Sequence, residues 1–176
     1  LFLFVITSAV SAQSVDAYNE PPSRLRGMIE KYEEDYGSLN RFYTAFTSAN
    51  RAIRLRELYR EYLTALDRQN FESLNHDEQV DHILFRNYLD HELKELARGE
   101  AQFAEMAPLM PFAKTISDLE DARRRLEFVD PAKSAALLNE LAKQIAATQR
   151  SFDGPNAQKP KRTVANRAAR TVDGLR

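Results

Sequence analysis

Cysteine and tryptophan are absent from this chain, histidine occurs three times and glycine only five. Without cysteine there is no disulfide framework, no thiolate nucleophile, no Cys-based zinc site and no thioether-linked lipid anchor in this stretch. Five scattered glycines build no glycine-rich phosphate loop. Nowhere do four or more residues alternate with β-branched or aromatic enrichment, so no strand is predicted. Charge of one sign is not in excess: the net charge is -1, which implies no general attraction to nucleic acid or to an anionic membrane. The longest apolar run, Leu1 to Ala12, falls short of the about 20 residues that cross a bilayer.

That run, LFLFVITSAVSA, carries no charge, and Val10 and Ala12 occupy the small-residue positions a signal peptidase reads. It is read as a signal peptide remnant over residues 1–12 that begins inside the hydrophobic region, with cleavage expected after Ala12 and a periplasmic or secreted mature protein. Residues 13–22, polar and then Pro21-Pro22, read as a flexible mature N-terminus. A helical domain is expected over 23–154. Residues 155–176 read as a linker and the start of a further helix that continues past Arg176. From residue 159 on, six basic side chains face one acid, a net charge of +5 that leaves -6 on the rest of the chain.

What is present is helix signal, enough for an all-α, irregular multi-helix bundle. Leu25, Met28, Ile29, Tyr32 and Tyr36 recur at helical spacing behind Ser23, predicting a helix over 24–36 that stops at Gly37. Residues 38–47 read as a connector carrying Phe42, Tyr43 and Phe46. A second helix is expected over 49–67 behind a Thr47 or Ser48 cap. Its wide apolar side implies more than one neighbour, and its arginine-rich side reads as solvated. Asn75-x-x-Glu78, with Leu74 before it, is a capping box. It opens a third helix from His76 to at least Ala97, extending through Gly99 to Met106 if the glycine's cost of about 1 kcal/mol is met. On that helix Val80, Ile83, Leu84, Tyr88, Leu89, Leu93 and Leu96 form a broad apolar face. Pro108 and Pro111 break the pattern. Ser117-x-x-Glu120 predicts a short helix over 117–128, and Asp130-Pro131 opens another to about Phe152, closed by Gly154-Pro155. A last helical pattern starts near Thr163.

Little here carries chemistry. His82 and His91 are nine residues apart, about 900° of helical rotation, which puts them on opposite sides of the third helix. His91-Glu92 begins like a zinc-protease helix, but position 95, where the second histidine of His-Glu-x-x-His belongs, is Glu95. The histidines are read as helix-surface or half-buried residues. No catalytic residue and no metal ligand is assigned. Asn87, inside an apolar stretch, is expected to be partly buried with a hydrogen bond to a neighbouring helix, and Arg86 to pair with an acid on another helix. Lys159-Pro160-Lys161-Arg162 is read as a helix start with solvent-facing bases.

Four stretches in order are similar to a known family: Gly37-Ser38-Leu39-Asn40-Arg41-Phe42-Tyr43; Arg86-Asn87-Tyr88-Leu89 with His91-Glu92-Leu93; Glu105-Met106-Ala107-Pro108-Leu109-Met110-Pro111-Phe112; and Asp118-Leu119-Glu120-Asp121-Ala122-Arg123-Arg124-Arg125-Leu126. Over roughly residues 22–175 the chain resembles the N-terminal third of the bacterial family called domain of unknown function 885 (DUF885). The resemblance implies a much longer, mostly helical, exported or lipid-anchored protein that looks like a gluzincin-type zinc metallopeptidase, with peptide as substrate and carboxypeptidase-like trimming. Zinc would belong to the full-length protein, held by a His-Glu motif in its C-terminal half, and the missing C-terminal portion of the chain becomes the first partner. None of those ligands lies in these 176 residues. Phe42, Tyr43, Phe46, Arg86 and Asn87 would then belong to the wall of the substrate cleft. A stand-alone secreted helical binding or scaffold protein without enzymatic activity is the alternative. A membrane-surface or nucleic-acid-binding helix near the C-terminus is a third possibility.

Overall fold

In a computed structural model, residues 23–153 and 159–175 are described. The expected leader, the expected mature N-terminus through Pro22 and the expected Gly154-Pro155 stop lie outside the described residues. The fold is all-α, an irregular multi-helix bundle with no strand among the described residues: α1 (Arg26–Phe42), α2 (Ala49–Asp67), α3 (His76–Met106), α4 (Ala113–Arg124), α5 (Pro131–Asp153) and α6 (Arg162–Asp173), with 3₁₀ turns at Phe71–Ser73 and Ala107–Leu109. Among the described residues no helix is long and apolar enough to cross a membrane.

α1, α2 and α3 run up, down and up. α2 is the middle member and packs against both neighbours, as its wide apolar side required. Leu55, Leu58, Tyr59, Tyr62 and Leu66 are buried along it. Together with Leu25 and Tyr32 of the α1 segment and Phe85 and Leu89 of α3, they form the first core. Tyr32 is its aromatic centre, with ring centroids 5.3 Å from Tyr62 and from Phe85 and 5.8 Å from Tyr36 and from Tyr88. The buried phenols reach polar partners at the edge of the core. Tyr62 donates to Asp35 (2.8 Å) and Tyr59 to Glu92 (3.3 Å). Burial, reinforced by those carboxylates, pushes both hydroxyls above their ordinary range and keeps them donors.

Helix ends depart from expectation where tertiary contacts outweigh local signals. α1 does not stop at Gly37 but runs through it to Phe42, because Tyr36 and Leu39 pack against the first core and offset a helical glycine's cost of about 1 kcal/mol. The connector is therefore Tyr43 to Ser48. Ser23 lies outside α1, its hydroxyl accepting from the Leu25 amide at 3.3 Å. The expected capping box does form at Asn75 and Glu78. Glu78, only 4% exposed, accepts the Asn75 amide at 3.0 Å and also the Arg24 amide at 3.1 Å. One carboxylate thus serves the starts of two helices.

α3 runs unbroken through Gly99 for 31 residues, about 46 Å at 1.5 Å per residue. It joins the first core to a second, built from Met106, Met110, Phe112, Ala113 and Ala168. Its expected apolar face is only partly buried. Leu89 is covered, but Val80, Ile83, Leu84 and Tyr88 stand 40–61% exposed. The face is wider than α2 can cover, and α1 sits too far round the bundle to close it. His82, read as a surface or half-buried histidine, is buried. Its Nε2 lies 3.2 Å from the Leu66 carbonyl at the end of α2, and its Nδ1 has no partner among the described residues.

α4 begins at Ala113, four residues before the expected Ser117 cap, and ends at Arg124 rather than Phe128. Ser117 is inside the helix, donating back to the Ala113 carbonyl at 3.1 Å. The capping-box pattern is realised there as side-chain contacts with the connector before α2. α6 lies on the far end of α3, with Arg167 paired to Glu105 at 3.1 Å and Ala168 buried beside Met106.

Candidate functional site

The residues expected to wall a cleft are not brought together. Phe42 closes α1, Tyr43 follows it with the two rings at right angles (centroids 4.8 Å, 77°), and Phe46 stands two residues before the α2 cap. Arg86 pairs with Asp67, the last residue of α2. Asn87 faces solvent, so its expected partly buried hydrogen bond to a neighbouring helix does not form. The two groups are separated by the length of α2, about 28 Å at 1.5 Å per residue. An antiparallel neighbour carries each group to the opposite end of the bundle, which linear order did not reveal.

Around the aromatic connector the structure assembles a polar lock that sequence spacing gave no reason to expect. Ser48 caps α2, accepting from the Arg51 amide at 3.1 Å, and its hydroxyl donates to Asp121 of α4 at 2.5 Å. Asn50 donates to the same carboxylate oxygen at 2.9 Å, and the Thr47 and Ser117 hydroxyls share a hydrogen bond of 2.5 Å. Asp121, Ser48 and Ser117 are each 1–2% exposed. At the N-terminus of α2 a buried carboxylate is stabilised by the helix dipole as well as by its donors. On the outer edge Glu120 accepts from Thr44, Arg123 and Arg124. The Arg123 and Arg124 guanidiniums hold its carboxyl down at about 2. Serine and aspartate here have no histidine between them, so the lock is a tie between α2 and α4 rather than a nucleophile.

Next to the lock the molecule is open. A trough of about 520 Å³ runs from Thr44 and Ala45 over Leu119 to Leu138, Leu141 and Leu175. A second of about 430 Å³ continues it between Phe112, Ile145, Phe152 and Val172. Both lie under α5. That helix starts as expected, with Asp130 accepting the Ala132 and Lys133 amides at 3.0 and 3.1 Å, yet none of its 23 residues is buried. Leu137 and Leu138 stand 40% and 56% exposed, and in the turn before them Leu126, Phe128 and Val129 are 90%, 93% and 62% exposed. Single exposed apolar residues are ordinary, whereas Leu126, Phe128 and Val129 lie within four positions of one another and are all exposed, which is the character of an interaction surface.

Among the described residues no three His, Asp or Glu side chains converge as metal ligands. The chain matches no family model, no curated protein and no solved structure.

Proposed function

We propose that this chain is the noncatalytic N-terminal helical segment of an exported zinc-dependent peptidase, and that the metal site lies on chain beyond Arg176. The observation that carries the segment reading is α5. A 23-residue helix that packs on the second core only through the partly buried Leu141 and Ile145, with Leu137 and Leu138 exposed and Leu126, Phe128 and Val129 in the open before it, has apolar surface to spare for neighbours that lie elsewhere. Further helices of a larger protein would cover that ridge and fill the troughs beneath it. The peptidase part rests on the DUF885 resemblance over residues 22–175. In the intact enzyme zinc would polarise the peptide carbonyl and activate water. Export rests on the Leu1–Ala12 run.

The exposed tip also supports a second reading, a stand-alone secreted binding protein in which Leu126, Phe128 and Val129 anchor a separate partner. The coding sequence after Arg176 separates the two. The peptidase proposal expects several hundred further residues with a His-Glu-x-x-His motif or a close variant. A stop codon directly after Arg176 counts against it. Zinc analysis and peptide-hydrolysis assays on the 176-residue chain alone are expected to show neither stoichiometric metal nor turnover, and either result in the positive would remove the noncatalytic assignment.

A further inference from the structure

The side of the bundle away from α2 holds a groove that the proposal above does not use. It lies between α1 and α3, has a volume of about 520 Å³, and is floored by Tyr32, Tyr36, Phe85 and Tyr88. Two helical stripes with the same i, i+3, i+4, i+7 spacing make it, 29, 32, 33 and 36 on α1 and 81, 84, 85 and 88 on α3, so each helix turns one full face to the groove.

Aromatic and aliphatic groups make up most of that lining, yet each stripe carries one carboxylate, Glu33 on α1 and Asp81 on α3. Neither makes a salt bridge or a side-chain hydrogen bond among the described residues. The nearby arginines are engaged elsewhere, Arg26 with Glu30 at 2.7 Å and Arg24 with Glu78 at 3.5 Å. Lys31 is two residues from Glu33, about 200° around the helix, and Lys94 of α3 is about 140° around the helix from Asp81 and more than three turns further along it. Glu92, one turn beyond Tyr88 on the same face of α3, adds a third acid, already accepting from Tyr59 at 3.3 Å. Among the described residues the face is negative and has no cation of its own.

The rings suit a cation as well. Tyr88 is 41% exposed and Tyr36 half-buried, and the buried Tyr32 holds both in place, stacking on Tyr36 at 5.8 Å and 18° and donating its hydroxyl to Tyr88 at 3.3 Å. Phenol faces attract ammonium and guanidinium groups, best where water is partly excluded. Lysine and arginine are the side chains that lay an apolar stem along such a surface while their heads reach carboxylates. A second copy of the chain meeting this groove face to face would oppose Glu33 and Asp81 with the same acids.

We propose that the α1–α3 groove binds the side chain of a lysine or arginine presented by another polypeptide, with the Tyr36 and Tyr88 rings against the stem and head and Glu33 and Asp81 balancing the charge. This holds whether or not the intact protein is a peptidase, because it concerns binding and not cleavage. The test is a titration of the isotope-labelled 176-residue chain, followed by amide NMR, with three capped tripeptides that differ only in a central arginine, lysine or norleucine. Saturable shifts confined to residues 29–36 and 81–88 are expected, with the arginine and lysine peptides binding at least tenfold more tightly than the norleucine one. Glu33→Gln and Asp81→Asn should each weaken the basic peptides at least fivefold and leave the thermal melt unchanged, since neither carboxylate supports the fold. Tyr88→Leu should weaken the basic peptides while leaving norleucine binding intact. Equal affinity for norleucine, shifts mapping elsewhere, or no saturable shift overturns the inference.

Discussion

Leu126 is the one described non-glycine residue with a left-handed backbone, at φ 55°, and its side chain is 90% exposed. A branched residue there costs roughly 1 kcal/mol relative to glycine, and no buried contact offsets it. Leu126→Gly is therefore expected to stabilise the chain by about 1 kcal/mol in denaturant unfolding; a loss of stability would show that the leucine makes contacts in solution that its exposure denies. Asp121 is the opposite case, a residue 1% exposed whose carboxylate takes two side-chain donors. Asp121→Ala strands the Ser48 hydroxyl and the Asn50 amide and should cost about 2–3 kcal/mol. The double variant with Ser48→Ala should cost less than the two single losses added together, because the two residues share one hydrogen bond. Additive losses in that cycle would mean that the two residues are not coupled.

At the scale of the element, α3 is long because nothing interrupts it except Gly99, where an added Cβ would meet no atom within 4 Å. Gly99→Ala should raise stability by about 1 kcal/mol through helix propensity and reduced freedom of the unfolded chain. The unfolding midpoint checks this, and no gain would argue that the helix is not continuous there. α2 and α5 are the extremes of coverage. α2 is buried against two neighbours, whereas α5 buries no residue. Hydrogen exchange should therefore find α5 amides opening with far smaller free energies than those of α2, approaching local fraying. Protection in α5 equal to that in α2 would contradict the uncovered ridge and with it the segment reading.

For the molecule as a whole, acid stability follows from carboxylates that bind donors better when ionised. Glu120 titrates at about 2 in the fold, against roughly 4.3 for an unfolded glutamate. Glu78 is lowered too, first by the Asn75 amide, then by the Arg24 amide. A depressed folded value means the unfolded state takes protons first as pH falls. The contribution is complete above the unfolded value and is lost as pH drops through the folded one, so stability should decline from about pH 4.5 towards pH 2. Glu120→Gln should flatten that slope in urea midpoints measured across the window, and an unchanged slope would show that the arginine pairs are screened in solution.

Helix signals along the chain were legible where they are local. Asn75 with Glu78, and Asp130 with Pro131, mark helix starts because a cap is a bond between residues two or three positions apart, and the α2 span followed from spacing and its serine cap. The boundaries at Gly37 and Ser117 were misread because each residue's role depends on a partner far along the chain: the first core packing on Tyr36 and Leu39, and the Thr47 hydroxyl meeting Ser117. That Phe42, Tyr43 and Phe46 stand at one end of α2 and Arg86 at the other was likewise invisible in linear order. Composition and periodicity by themselves determined that these 176 residues are helical, carry no cysteine chemistry and have helix faces too apolar to stand alone. Which of those faces are covered, where Glu78 and Asp121 find their donors, and that two aromatic stripes open onto one acidic groove were decided only by the tertiary structure, because burial and pairing belong to the arrangement of helices in space and not to any one of them.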